Sequence, residues 1–156
     1  SRYDEDERRG TMSTQEKNFV VVVQCDAVVH EVCAGFLCEH AFNGRMDGFA
    51  GYPADRKMRY VSMSCGGCPG RGTLRKLINF KTNLKKRESG SPDSVVVHLS
   101  TCIVRGSHHG PRCPHIDYIR TQVKEAGFDL VEGTRYSKTR EKRHAEGKYR
   151  EQEESK

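Results

Sequence analysis

The feature that most constrains the fold is an unbroken apolar run near the start of the chain, Phe19-Val20-Val21-Val22-Val23-Gln24-Cys25. A strand with one face in water alternates apolar and polar residues, whereas a strand covered on both faces is apolar throughout. Such strands occur in parallel sheets, where helices cover both faces. The run therefore predicts a central strand of a parallel sheet.

Three further segments have the composition of strands. Residues 94–100 resemble the first run, residues 59–64 alternate more, and residues 128–131 are short, so the last two segments are predicted to be peripheral. Apolar residues recur at helical spacing in two intervening segments: Leu74, Leu77, Ile78 and Leu84 in the first, and Ile116, Ile119, Val123 and Ala126 in the second. Gly127 follows the second segment, where a helix C-cap belongs. Residues 33–42 are a weaker candidate helix.

This alternation of strands and helices predicts an α/β fold, a small, open, mostly parallel four-stranded sheet flanked by helices, similar to flavodoxin or Rossmann folds. We expect one domain over residues 18–134. Residues 1–17 and 135–156 are rich in charge and are predicted to be flexible ends. Met12 is a candidate internal start.

The number of cysteines limits the kinds of chemical site that the chain is expected to contain. The chain has 156 residues and seven cysteines, and its longest apolar stretch falls short of the roughly 20 residues that span a membrane. The charged first residues lack the form of a secretory signal, so a cytoplasmic, reducing setting is expected. An odd number of cysteines in that setting argues against a disulfide framework and favours metal binding or thiol chemistry.

The positive charge is a weaker guide to partners. The net charge is +6, but acidic residues are interspersed with the basic ones, and the sequence contains no recognised nucleic-acid motif. A metal ion is therefore the expected partner, and neither nucleic acid nor a membrane is expected to be one.

Four cysteines follow predicted strands. Cys25 ends the first strand, Cys65 and Cys68 end the second, and Cys102 ends the third. The carboxyl ends of parallel strands share one edge of the sheet, where ligands bind. In a strand order of 2-1-3-4, three of these ends are neighbours about 4.8 Å apart. Their thiolates are therefore expected to surround one ion.

The segment Cys65-Gly66-Gly67-Cys68 is the expected centre of this site. Two intervening residues let both sulfurs face one ion, the glycines permit positive φ, and the following helix places the positive end of its dipole near the thiols. A tight turn with incidental thiols is the competing interpretation.

The remaining candidates lie in loops or weaker elements. Cys113 and His115 precede the last predicted helix and are the better-placed pair. Cys33 and Cys38 are either further ligands or small apolar residues of a helix. His98 shares strand parity with Cys102, although a single histidine in a strand is more often a core residue.

The residues resemble those of the CGGC-domain proteins of bacteria and archaea. The resemblance covers about residues 20–134. It is carried by Cys25, Cys33-Ala34-Gly35-Phe36-Leu37-Cys38, Cys65-Gly66-Gly67-Cys68-Pro69-Gly70, His98-Leu99-Ser100-Thr101-Cys102, Cys113-Pro114-His115 and Val131-Glu132-Gly133-Thr134. It implies a metal-binding role, usually proposed as zinc held by cysteines and histidines, and no settled reaction. The family commonly has histidine after Glu-Gly-Thr, where this chain has Arg135.

Three functions remain open at this point. The first is metal binding, with zinc ahead of an iron–sulfur cluster, and with the ligands drawn from Cys25, Cys33, Cys38, Cys65, Cys68, Cys102, Cys113 and His115. The second is thiol–disulfide exchange, with Cys65 as the more exposed attacking thiol and Cys68 as its resolving partner. The third is a metal-dependent enzyme that uses His115 or Asp117 for proton transfer and Arg105 to hold an anion.

Overall fold

Four parallel strands form one sheet in the computed structural model, which describes residues 17–108 and 110–147. The strand order is β2-β1-β3-β4. The strands are β1 Phe19–Gln24, β2 Arg59–Ser64, β3 Val95–Leu99 and β4 Asp129–Glu132. The parallel sheet and the order 2-1-3-4 are both confirmed, with β1 pairing in parallel with β2 and β3.

Six α-helices connect and flank these strands within the described residues. They are α1 Asp26–Glu31, α2 Phe36–Asn43, α3 Gly72–Glu88, α4 Thr101–Val104, α5 Ile116–Ala126 and α6 Lys138–Ala145. Two 3-10 turns, Asp47–Phe49 and Pro92–Ser94, complete the connections. The helix that precedes Gly127 is confirmed, and this glycine caps it at φ 90°. The weak helix predicted over residues 33–42 was wrong in extent, because α2 begins at Phe36 and Cys33 lies before it.

The valines of β1 explain why this strand is central. All four are fully buried, and successive side chains point to opposite faces of the sheet. Val21 and Val23 pack with residues of α3 and α5, whereas Val20 and Val22 pack with α2 and the Asp47–Phe49 turn. Helices therefore cover both faces of β1, which is why the run has no polar alternation.

His98 belongs to the core of the second of these faces. Its ring is fully buried, with Nε2 2.6 Å from the Tyr52 hydroxyl and Nδ1 2.9 Å from the Gly133 carbonyl oxygen. Burial lowers the pKa of His98 to about 4. The ring is therefore neutral near pH 7, with Nδ1 donating to Gly133 and Nε2 accepting from Tyr52. His98 therefore helps to hold the segment that follows β4, and its ring nitrogens are not free to bind a metal at the carboxyl edge of the sheet.

The structure describes part of each charged segment that was predicted to be a flexible end. Lys17 is buried, forms an ion pair with Asp129 at 2.7 Å, and donates to the Asp93 carbonyl oxygen. Near the other end, α6 forms within the charged tail, where Glu141 pairs with Arg105. Residues 1–16 and 148–156 lie outside the described residues. Across the described part of the chain, no helix has the length and apolar character needed to cross a membrane.

Candidate functional site

Four cysteines line one cavity at the carboxyl edge of the sheet, which we call the thiol cavity. Its volume is about 180 Å³, and its cysteines are Cys25, Cys65, Cys68 and Cys113. Asp26, His115, apolar residues from α1, α4 and α5, and the Gly67–Gly70 turn also line it. The thiols reach this cavity from three separate parts of the chain, so the fold and not the local sequence brings them together.

Backbone hydrogen bonds fix the relative position of these thiols. The Cys65 amide donates to the Gln24 carbonyl oxygen at 2.9 Å, which extends the pairing of β1 and β2 beyond the strands. The Asp26 amide points at the Cys65 sulfur at 3.4 Å, and the His115 amide points at the Cys113 sulfur at 3.3 Å. An amide that donates to sulfur favours the thiolate form, which is the form that attacks disulfides and binds metals.

The turn between Cys65 and Cys68 requires glycine. Gly66 has φ 83°, and a Cβ at this position would lie 2.8 Å from the Cα of Gly72 at the start of α3. The turn buries Cys65, which is 6% exposed, and leaves Cys68 exposed. The assignment of Cys65 as the more exposed, attacking thiol was therefore wrong, because the turn folds back over the residue nearest the strand.

We expect Gly66→Ala to destabilise the protein by about 2–4 kcal/mol, because a left-handed backbone is costly for alanine and the added methyl meets the backbone of Gly72. Gly51→Ala is the matched control. A methyl at Gly51 meets nothing within 4 Å, and its expected cost is below about 0.5 kcal/mol. Urea unfolding of both variants measures the difference, and equal midpoints would contradict the tight turn.

The thiols of this cavity interact electrostatically. The pKa of Cys113 is raised, first by burial and then by the neighbouring thiol groups Cys25, Cys65 and Cys68, while the His115 amide opposes the shift. Each thiolate that forms therefore raises the free-energy cost of deprotonating the remaining thiols of the group. A bound cation would relieve that repulsion.

The donor chemistry of the thiol cavity fits a soft metal centre, because thiolate sulfur with or without imidazole is the donor set of zinc and iron–sulfur sites. The side chains are not drawn together as ligands, however. No group of three or more His, Cys, Asp or Glu side chains among residues 17–108 and 110–147 is arranged to hold a metal ion. Ligation would therefore require the thiol side chains to move closer together.

A comparison with protein families identifies the chain. The family described as CGGC domain matches residues 19–135, well over half of the sequence. The chain belongs to the CGGC domain family. Neither the curated proteins nor the solved structures provide a match. All the candidate ligands named from the sequence lie inside the matched range.

The other three cysteines of this CGGC domain line a different space, which we call the second cavity. Cys33, Cys38 and Cys102 border it, and its volume is about 310 Å³. The Cys38 sulfur lies 3.2 Å from the Thr134 hydroxyl, and the Cys102 sulfur lies 2.7 Å from the Ser100 hydroxyl. By cavity the seven cysteines thus fall into a group of four and a group of three, and Cys102 lies between the two groups because it also lines a further cavity with Cys25, Cys68 and Cys113.

Two thiols of the second cavity, those of Cys38 and Cys102, favour the protonated form. Burial raises the pKa of Cys102 to about 11, against hydrogen bonds from Ser100 and the Cys25 backbone that lower it. Burial also raises the pKa of Cys38. Near neutral pH these two sulfurs are therefore thiols of low nucleophilicity.

The remaining candidates have structural partners or lie elsewhere. Asp117 forms an ion pair with Arg120 at 2.7 Å, and Arg105 pairs with Glu141 and stacks over the Tyr136 ring. Neither residue lines the thiol cavity. Arg135 lines the second cavity instead. The proposed proton-transfer and anion-holding roles of Asp117 and Arg105 therefore gain no support from the geometry.

Proposed function

We propose that this CGGC domain binds one metal ion, zinc, through Cys25, Cys65, Cys68 and Cys113. The observation that supports the proposal is that these cysteines, from different parts of the chain, line one cavity. His115 lines the same cavity and is the alternative donor. Zinc sites with four cysteines, or with three cysteines and a histidine, are common structural centres.

Two physical features favour a metal ion over four free thiols. The amides of Asp26 and His115 point at sulfur, as expected where thiolates are to be stabilised. The mutual effect of these cysteines on the pKa of Cys113 means that a divalent cation would remove an electrostatic cost. An iron–sulfur cluster would use the same donors, and it is the alternative cofactor.

Elemental analysis of protein purified without oxygen tests the proposal. The expected result is a colourless protein with about one zinc ion per chain, as a four-thiolate site requires. A brown protein that contains iron and sulfide would replace zinc by a cluster. Protein that carries no metal and that takes up neither zinc nor iron after reduction would overturn the metal proposal.

Thiol–disulfide exchange is a second candidate, favoured by the exposure of Cys68 beside the buried Cys65. The Cys68 thiolate would attack a substrate disulfide, form a mixed disulfide, and release one substrate thiolate. The Cys65 thiolate would then attack the Cys68 sulfur and release the second one. The two cysteines would end as a disulfide, and the substrate would be reduced by two electrons.

Reduced, metal-free protein mixed with a small aromatic disulfide such as 5,5′-dithiobis(2-nitrobenzoic acid) tests this second candidate. The exchange proposal expects a rapid phase that Cys68→Ser removes and that Cys113→Ser retains. If Cys68→Ser and Cys113→Ser slow the reaction to the same small extent, Cys68 has no special reactivity and the metal proposal stands alone.

A further inference from the structure

The second cavity has no role in the proposed metal site. It lies between α1, α2 and the segments that follow β3 and β4, and its volume of about 310 Å³ is that of a small ligand pocket. Its lining combines three chemical features: an apolar wall, a buried polar floor and a single arginine. Each of them restricts what the cavity can hold.

The wall is built by aliphatic and aromatic side chains of the first two helices and the turn between them. These side chains are Val28, Val29, Val32, Phe36 and Leu37. Phe36 and Leu37 remain exposed at the mouth of the cavity. An apolar body seated against this wall would cover surface that is otherwise in contact with water.

The floor is polar and braced. The Thr101 amide donates to the Thr134 hydroxyl at 3.2 Å, and the Thr134 amide donates to the Thr101 hydroxyl at 2.9 Å. Both residues are buried, as is Gln24 beside them. These reciprocal bonds join the segments after β3 and β4, so the floor is preformed.

The charge of the lining has one sign. Among the described residues that line the cavity, Arg135 is the only lysine or arginine, none is an aspartate or glutamate, and His108 contributes an imidazole. Arginine presents a fork of N–H donors that matches a carboxylate. Arg135 thus favours an anion, and the described lining has no carboxylate that would attract a hard cation.

We propose that the second cavity binds a small organic acid, with its carboxylate held by Arg135 and its apolar body against the wall formed by α1 and α2. The site is independent of any metal in the thiol cavity.

A titration with 3-phenylpropionate tests the proposal, with 3-phenylpropanamide as the matched neutral probe. The protein is used as purified and labelled with ¹⁵N. The acid is expected to shift amide signals of residues 28–38 and 134–135 with a dissociation constant on the order of 1 mM, as befits so small a ligand. The amide is expected to bind at least about tenfold more weakly.

Two arginine variants test whether Arg135 is the residue that holds the carboxylate of the acid. Arg135→Gln is expected to weaken binding of the acid about tenfold, while Arg75→Gln, an equal charge change at an exposed position on α3, leaves it unchanged. None of the four proposed metal ligands is among the residues that line the second cavity, so failure of the metal proposal would not affect this result. Circular dichroism checks that each variant is folded.

Three outcomes would overturn the proposal. The first is that the acid and the amide bind equally well, which removes the role of Arg135. The second is that the shifted signals centre on Cys65, Cys68 and Cys113, which moves binding to the thiol cavity. The third is that neither probe shifts any signal at about 10 mM, far above the expected dissociation constant.

Discussion

Cys25→Ser is expected to lower the affinity of the protein for zinc on the order of 100-fold, while Cys33→Ser leaves it within about threefold. The free energy of binding at a four-ligand structural zinc site is about 10–16 kcal/mol, so each ligand contributes about 3 kcal/mol. Cys25 lines the thiol cavity, whereas Cys33 lines the second cavity. The two variants make the same chemical change at different places in one fold.

Competition with a chromophoric zinc chelator at fixed pH measures both affinities. The pH must be fixed because each thiol that binds a metal releases its proton, so the apparent affinity rises with pH. An equal loss in both variants would mean that the two groups of cysteines act as one site. An unchanged affinity in Cys25→Ser would remove Cys25 from the ligand set.

The family match and the sheet agree with what the sequence predicts, for a physical reason. The valine run of β1 is apolar on both faces because helices cover both faces. Once β1 is central, the more pronounced alternation of apolar and polar residues in β2 identifies an edge strand, and β2 does lie at the edge of the sheet. Patterns that depend on burial within one element can be read from the sequence because burial selects the residue type at each position.

The division of the cysteines into two groups does not follow from such patterns. Gln24 and Cys25 are consecutive, yet Gln24 lines the second cavity and Cys25 lines the thiol cavity. Consecutive residues of a strand point to opposite faces of the sheet, so this difference between Gln24 and Cys25 follows from strand geometry. The position of Cys33 and Cys38, however, depends on the path of the chain between α1 and α2. That path is set by tertiary contacts, so the sequence left the role of these two cysteines open.

The exposure of Cys65 and Cys68 illustrates a second limit. The spacing of the motif predicts that both sulfurs can face one centre, and both do line the thiol cavity. Which of them is buried depends on the close approach of Gly66 to Gly72, six residues away. Lys17 is a similar case, because its burial depends on Asp129 and Asp93, which are distant in the sequence.

The second large effect is expected in the core on the face of the sheet that α2 covers. Phe49→Ala should lower the free energy of unfolding by about 4 kcal/mol, because truncating a buried phenylalanine leaves a cavity that the core fills only in part. Phe49 is 0% exposed, and its ring centroid lies 5.6 Å from that of Phe42 and 4.5 Å from that of His98. A loss of this size is a large fraction of the free energy of unfolding of a typical folded domain, which is about 5–15 kcal/mol.

Phe36→Ala is the matched control for this loss, since it removes the same ring from a side chain that is 62% exposed. Its expected cost is below about 0.5 kcal/mol. Urea unfolding monitored by circular dichroism measures both variants, and Phe49→Leu should recover more than half of the loss because it restores most of the buried volume. Equal small losses in the two alanine variants would contradict the buried position of Phe49.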